Sequence, residues 1–130
     1  MRTIAIIPLL SILVLTACGQ AGQAGNATAV GPDAFEKALG TPKAQLIDVR
    51  TASEYASGHL DGARNLDWTN GQLQAGMATL DKQAPVLVYC ASGRRSAAAR
   101  EALLQAGFKD VTDMAGGIQA WTANGKPVVR

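Results

Sequence analysis

The sequence is poor in the side chains that hold metal ions, with one His and two Cys in 130 residues. Alone these cannot complete a zinc site, and no cluster of Asp and Glu stands ready to supplement them. Charge is also scarce. Charged residues make up 17% of the chain and the net charge is only +2. So weak and scattered a charge argues against a nucleic-acid binder. No apolar run reaches the ~20 residues of a membrane-spanning helix, which excludes a multi-spanning membrane protein. What is present, 48% apolar residues in a chain of this length, reads as one globular domain.

The N-terminus has its own grammar. Arg2 precedes an apolar run from Ile4 to Leu15, broken by Pro8 and Ser11. The run is too short for a span and suits the apolar core of a signal peptide; the alternative is an uncleaved anchor. Leu15-Thr16-Ala17-Cys18 resembles the lipobox of bacterial lipoproteins. The resemblance implies diacylglyceryl modification of Cys18, cleavage before it and acylation of the new N-terminus. Two or more chains anchor stably where one does not. Gly19, where Asp is absent, implies export to the outer membrane, facing the periplasm of a bacterial cell envelope. An ordinary secretory cut at Ala27-Thr28-Ala29 is the alternative.

The expected organisation is therefore a signal peptide at 1–17, a lipidated Cys and flexible tether at 18–31, and a folded domain at 32–130. The tether repeats Gln-Ala-Gly at Gln20–Gly22 and Gln23–Gly25. A flexible chain of that length reaches about 20 Å. With lipid on Cys18, Cys90 is the sole thiol and no internal disulfide can form. An unpaired Cys in an exported protein points to a reactive thiol; a buried inert Cys at a strand end is the plainer alternative.

Within the domain, strands alternate with helices. Asp33 to Leu39 is predicted helical, with Pro32 at its start and Gly40 beyond its end. Leu46 to Val49 reads as a strand. Thr51 and Glu54 have capping-box spacing and open a helix ending near Gly58. Ala63 to Leu66 reads as a short strand, and Gln72 to Leu80 as a helix with Leu73, Met77 and Leu80 on one face. Val86 to Tyr89, after Pro85, has the unbroken apolar character of a strand buried on both faces. Ser96 to Ala106 reads as a helix closed by Gly107, Val111 to Met114 as a strand, and Ile118 to Ala123 as a last helix. This alternation predicts an α/β domain with a mainly parallel sheet and helices on both faces.

The informative unit is the buried strand followed by Cys90-Ala91-Ser92-Gly93-Arg94-Arg95 and a helix starting near Ser96. In open α/β sheets, ligands bind beyond the carboxyl ends of strands. Here that position holds a thiol beside a helix N-terminus, whose N–H groups and dipole favour an anion. Such a place lowers a thiol pKa. Gly93 permits a tight turn with inward N–H groups. Arg94 and Arg95 supply donors for an oxyanion, or pair with a carboxylate such as Asp48 or Glu54.

Three separated segments resemble the single-domain rhodaneses, which are sulfurtransferases of the thiosulfate sulfurtransferase type. Leu46 to Arg50, with Glu54-Tyr55 and Gly58 to Asn65, resembles the family's N-terminal signature. Val88 to Ser96 resembles its Cys-x-x-Gly-x-Arg active-site loop. Ala115 to Trp121, then Gly125 to Pro127, resembles its C-terminal signature. The resemblance implies a three-layer α/β/α domain with a five-stranded sheet. It also implies a persulfide mechanism with no metal or organic cofactor. Cys90 attacks the outer sulfur of thiosulfate, sulfite leaves, and cyanide or a thiol removes the sulfur. By the same resemblance, Ala91, Ser92, Gly93, Arg94, Arg95 and Ser96 bind the substrate and the persulfide charge. Asp48, Arg50 and His59 support the site. The family's Arg falls on Arg95, and which of Arg94 and Arg95 faces substrate stays open. His59 reads more readily as a structural hydrogen bond than as a base, and Trp121 as core.

The expected partners are a small sulfur donor, a thiophilic acceptor and the membrane through Cys18, with no nucleic acid and a monomer as default. Two rival readings stand beside this one. A Cys-dependent phosphatase or arsenate reductase is disfavoured, because its loop is one residue longer and position 96 here is Ser. A non-enzymatic tethered sulfur carrier or thiol-sensing module is the other.

Overall fold

The computed structural model describes residues 25–130. The signal segment, Cys18 and the tether up to residue 24 lie outside the described residues. Five strands form one sheet: β1 (Asn26–Val30), β2 (Gln45–Asp48), β3 (Arg64–Asn65), β4 (Val86–Tyr89) and β5 (Asp110–Met114). The helices are α1 (Pro32–Leu39), α2 (Ala52–Ser57), α3 (Gln72–Gly76), α4 (Arg94–Gln105) and α5 (Gly117–Ala123). The strand order is β1-β5-β4-β2-β3 and all four strand pairings of this sheet are parallel. The chain is thus an α/β domain with a parallel sheet, as the alternation of its elements implied, and the sheet has the five strands that the resemblance implied.

Period-two alternation along the buried strands builds two cores. Val86 and Val88 of β4 face one way, with Ile47, Val49, Leu73, Ala99, Leu103 and Phe108. Leu87 and Tyr89 face the other way, with Phe35, Leu60, Met114 and Trp121. Thus α3 and α4 cover one face, and α1 and α5 the other, giving three layers.

β1 corrects the expected tether. Asn26–Val30 is not linker but an edge strand, in register with Asp110–Met114. Asn26 N–H donates to the Lys109 carbonyl at 2.8 Å and Ala115 N–H to the Val30 carbonyl at 2.8 Å. The folded unit therefore begins before Pro32. Four of its five residues are exposed, so no apolar alternation announces it; backbone pairing with β5 decides it. Two other boundaries move. α4 starts at Arg94 rather than Ser96, and the helix expected over 72–80 is α-helical only to Gly76, then 3₁₀ over Met77–Thr79.

The topology places the site. From β4 the chain passes through α4 to β5 on one side; from β2 it passes through α2 to β3 on the other. The two connections diverge at the carboxyl ends of adjacent strands, which opens a crevice there. Cys90 follows β4 and Thr51 follows β2, on either side of that crevice.

Candidate active site

At the end of β4 the chain turns sharply. Gly93, at φ +100°, is the left-handed N-cap of α4 and makes no side-chain cap. Its N–H donates to Cys90 Sγ at 3.0 Å. The N–H groups of Ser92 and Ser96 and the Ser96 hydroxyl also act on the sulfur. Cys90 is only 1% exposed. Burial, the largest single influence, pushes the thiol up. The donors of Ser96, Gly93 and Ser92 together outweigh it, so the thiol is held below its ordinary value. This is the anion site expected at a helix N-terminus, with a sulfur in place of a bound ion.

The first turn of α5 braces the same loop from below. Ile118 N–H donates to the Cys90 carbonyl at 2.9 Å and Gln119 N–H to the Ala91 carbonyl at 3.1 Å. That approach requires Gly117, at φ +59°. A Cβ there would stand 2.5 Å from the Cys90 and Ala91 carbonyl oxygens. The sequence reading did not assign Gly117, Ile118 or Gln119 to the site. The Gly116-Gly117 pair was the available signal, since paired glycines before a helix mark a close backbone approach.

The two arginines separate. Arg95 is gripped by Glu54 through Nη1 at 2.8 Å and Nη2 at 2.9 Å. The Glu54 carboxylate also completes the capping box of α2. It accepts from Thr51 N–H at 3.0 Å, while Thr51 Oγ1 accepts from Glu54 N–H at 3.2 Å. The Arg95 guanidinium, helped by Thr51 and opposed by burial, lowers the Glu54 carboxyl to about 2. This ion pair ties the loop after β2 to α4 across the crevice. Arg94 is exposed beside the loop, as is Ser92.

The expected supporting residues lie elsewhere. Asp48 binds its near neighbour Arg50, whose Nη2 is 2.6 Å from Oδ2 and 2.7 Å from the Gly58 carbonyl. The Arg50 guanidinium also lies 5.7 Å from the Tyr89 ring centre, and Tyr89 Oη accepts from Leu60 N–H at 3.0 Å. This buried cluster braces the 58–60 segment. His59 Nδ1 is 2.9 Å from the Tyr55 carbonyl, and its ring stacks on Tyr55 at 3.7 Å. Its backbone pairs with Val129. The structure thus gathers Ser92, Gly93, Arg95 and Ser96 around Cys90, and places Asp48, Arg50 and His59 in the frame. Trp121 is buried in the α1/α5 core, with Nε1 donating to the Pro127 carbonyl at 2.8 Å. Among the described residues, no three His, Cys, Asp or Glu side chains gather where they could hold a metal ion.

The family model for the Rhodanese-like domain matches residues 31–124. A thiosulfate sulfurtransferase GlpE of Pseudomonas paraeruginosa is 37% identical over 78 residues, which are 60% of this chain and 69% of that relative. A rhodanese-related protein from Thermoplasma volcanium has a TM-score of 0.70 at 30% identity, covering 78% of this chain and 97% of its own. The polysulfide-sulfur transferase homodimer from Wolinella succinogenes has a TM-score of 0.65 at 28% identity, with 79% and 78% covered. With a cysteine cradled at the end of its central strand and a family match over most of its length, the chain belongs to the rhodanese family.

Proposed function

We propose that the protein is a sulfurtransferase that carries a sulfane sulfur from thiosulfate, or a related donor, to cyanide or a thiol through a persulfide on Cys90. The observation that carries this is the Cys90 sulfur seated at the N-terminus of α4, where it accepts from Gly93 N–H at 3.0 Å and the thiol is held below its ordinary value. The thiolate attacks the outer sulfur of thiosulfate and forms a new S–S bond. The original S–S bond breaks, and its electron pair leaves on sulfite. The outer sulfur of the persulfide then bears the negative charge, which the same N–H groups stabilise. The acceptor takes that sulfur and returns Cys90 as thiolate. Arg95 is committed to Glu54, so the exposed Arg94 is the guanidinium that meets the thiosulfate oxygens.

The test is an intact mass after anaerobic incubation with thiosulfate. The parent gains one sulfur atom, which cyanide discharges, and Cys90→Ser gains none. A folded protein with a free thiol that takes up no sulfur overturns the reading. In steady-state turnover of thiosulfate with cyanide, Arg94→Ala raises the KM for thiosulfate about tenfold, the equivalent of ~1.4 kcal/mol; an unchanged KM returns the role to Arg95.

We further propose that the domain works from a lipid anchor on Cys18 at the periplasmic side of the outer membrane. The alternative cut at Ala27-Thr28-Ala29 would fall inside β1 and strip the edge strand from the sheet, which favours processing before Cys18. Radiolabelled palmitate incorporated into the full chain and lost in Cys18→Ala tests this.

A further inference from the structure

Trp68 stands at the rim of the Cys90 crevice, where the mechanism leaves it without a task. Val49, the residue after β2, is bonded on both flanks. Its N–H donates to the Tyr89 carbonyl at 3.0 Å, and its carbonyl accepts from Trp68 N–H at 3.0 Å. Tyr89 immediately precedes Cys90, so Cys90 and Trp68 flank one residue at the carboxyl end of the sheet. Neighbouring strands run about 4.8 Å apart, which sets these two backbones about 10 Å from each other. The two side chains also share a face. Cys90 and Val49 belong to the α3/α4 core, and Trp68 packs against that core. Trp68 is nevertheless only half-buried, so part of it stays open to solvent.

The turn that presents Trp68 is fixed. Asp67 is 5% exposed, and its Oδ1 accepts from the N–H and the hydroxyl of Thr69, each at 2.7 Å. Asp67 N–H donates to Gln72 Oε1 at 3.2 Å, and its carbonyl accepts from Leu73 N–H at 3.3 Å. A buried carboxylate with its partners in place holds the turn, and the turn holds the indole. Trp121, the other indole, is committed to the opposite core, with Nε1 bonded to the Pro127 carbonyl.

We propose that Trp68 is a specificity-determining residue for the second half-reaction: its indole is the wall against which the body of a peptide thiol lies while the thiol meets the outer sulfur on Cys90. The inference rests on the sulfur transfer proposed above. The acceptor thiolate attacks the outer sulfur of the persulfide. The S–S bond breaks, its electron pair returns to Cys90, and the acceptor leaves as a persulfide. A peptide advances about 3.3 Å per residue, so a tripeptide thiol with its sulfur at Cys90 covers the distance of about 10 Å to Trp68. Cyanide is too short to do so. A flat, rigid indole face offers such a peptide a large contact area at little cost in rotamer freedom. The wall therefore separates acceptors by size rather than by nucleophilicity.

The test is thiol exchange at Cys90 in the full chain, with glutathione disulfide as the probe and iodoacetamide as the small reference, read as added mass on the Cys90 peptide. It needs no sulfur transfer. If the parent takes up no sulfur from thiosulfate, the transfer reading fails and the wall is still measured. Trp68→Leu and Trp68→Phe both keep an apolar side chain on the core. Trp68→Leu slows the reaction with glutathione disulfide about tenfold and that with iodoacetamide less than about twofold, whereas Trp68→Phe stays within about threefold of the parent with both. In turnover with thiosulfate, Trp68→Leu raises the KM for glutathione about tenfold and leaves that for cyanide within about twofold. Equal slowing with both reagents, an unchanged glutathione rate, equal changes in the two KM values, or a Phe variant as slow as the Leu variant overturns the proposal. A measurement without variants stands beside these. Glutathione joined to Cys90 shifts the indole emission of the parent, and the small carbamidomethyl group does not, because Trp121 lies in the other core. An emission that glutathione leaves unmoved overturns the proposal even where Trp68→Leu fails to fold.

Discussion

Glu54 shows how much one side chain does at this site. Its carboxylate closes the N-terminus of α2 and holds Arg95 across the crevice. Its pKa falls to about 2 in the folded chain, against about 4.3 when unfolded. A group depressed on folding contributes stability above its unfolded pKa and loses it as pH falls through the folded one. The contribution is therefore complete above about pH 4.5 and gone near pH 2. Glu54→Gln keeps the cap but loses the charge. Because the pair is 25% and 35% exposed, screening limits the cost to about 1 kcal/mol or less. Thermal melts at pH 7 should show Tm lower by a few degrees at most, with the parent and variant converging towards pH 2. A gap unchanged at pH 2 would contradict this origin. Both ends of the pair were visible in the sequence: Thr51 and Glu54 had capping-box spacing, and Arg95 closed the cysteine loop. Their meeting was not, because 41 positions separate them and only the adjacency of β2 and β4 brings them together.

At the scale of elements, the loop is held between two helix N-termini with opposite tasks. α4 offers its N–H groups to the sulfur, whereas α5 offers its own to the carbonyls of Cys90 and Ala91. The second contact fixes where the first can point. Gly117→Ala should break it, since a Cβ meets backbone rather than a movable side chain and the residue has positive φ. We expect a loss of about 1–3 kcal/mol by chemical denaturation. Persulfide formation should slow in the protein that remains folded. A variant with parental stability and parental sulfur uptake would show that α5 does not set the loop. Helix boundaries were the least legible feature at this scale. α4 begins two residues before the expected Ser96 because Gly93 itself serves as the cap, so Arg94 and Arg95 belong to its first turn rather than to the loop.

For the whole molecule, the decisive element is the one with the faintest pattern. β1 covers the edge of β5 chiefly by backbone pairing, with Val30 at its end packed against the α1/α5 core. A chain beginning at Pro32 should lose that cover, leaving β5 as an exposed edge prone to association. Compared with a chain beginning at Gly25, it should melt several degrees lower and aggregate sooner on light scattering. Equal melting and equal solubility would show β1 to be dispensable. The two cores make a separate claim. Leu103→Ala beneath the α4 face should cost about 2–5 kcal/mol, as should Phe35→Ala on the opposite face. Only the first lies in the same core as Cys90, so sulfur uptake should suffer more there at matched stability.

The local chemistry of this protein is written in neighbouring residues. A buried apolar strand, a cysteine, a glycine able to turn and a helix start follow one another along the chain. Their covalent order already places a thiol at a helix N-terminus. The alternation of strands and helices likewise requires parallel pairing and three layers, since each apolar face must be covered. What depends on folding is whatever joins distant segments. The pairing of β1 with β5 uses backbone groups that every sequence carries, so no side-chain pattern records it. The grip of Glu54 on Arg95, 41 positions away, follows from strand order. A charged side chain chooses its partner by distance in space, and strand order sets that distance.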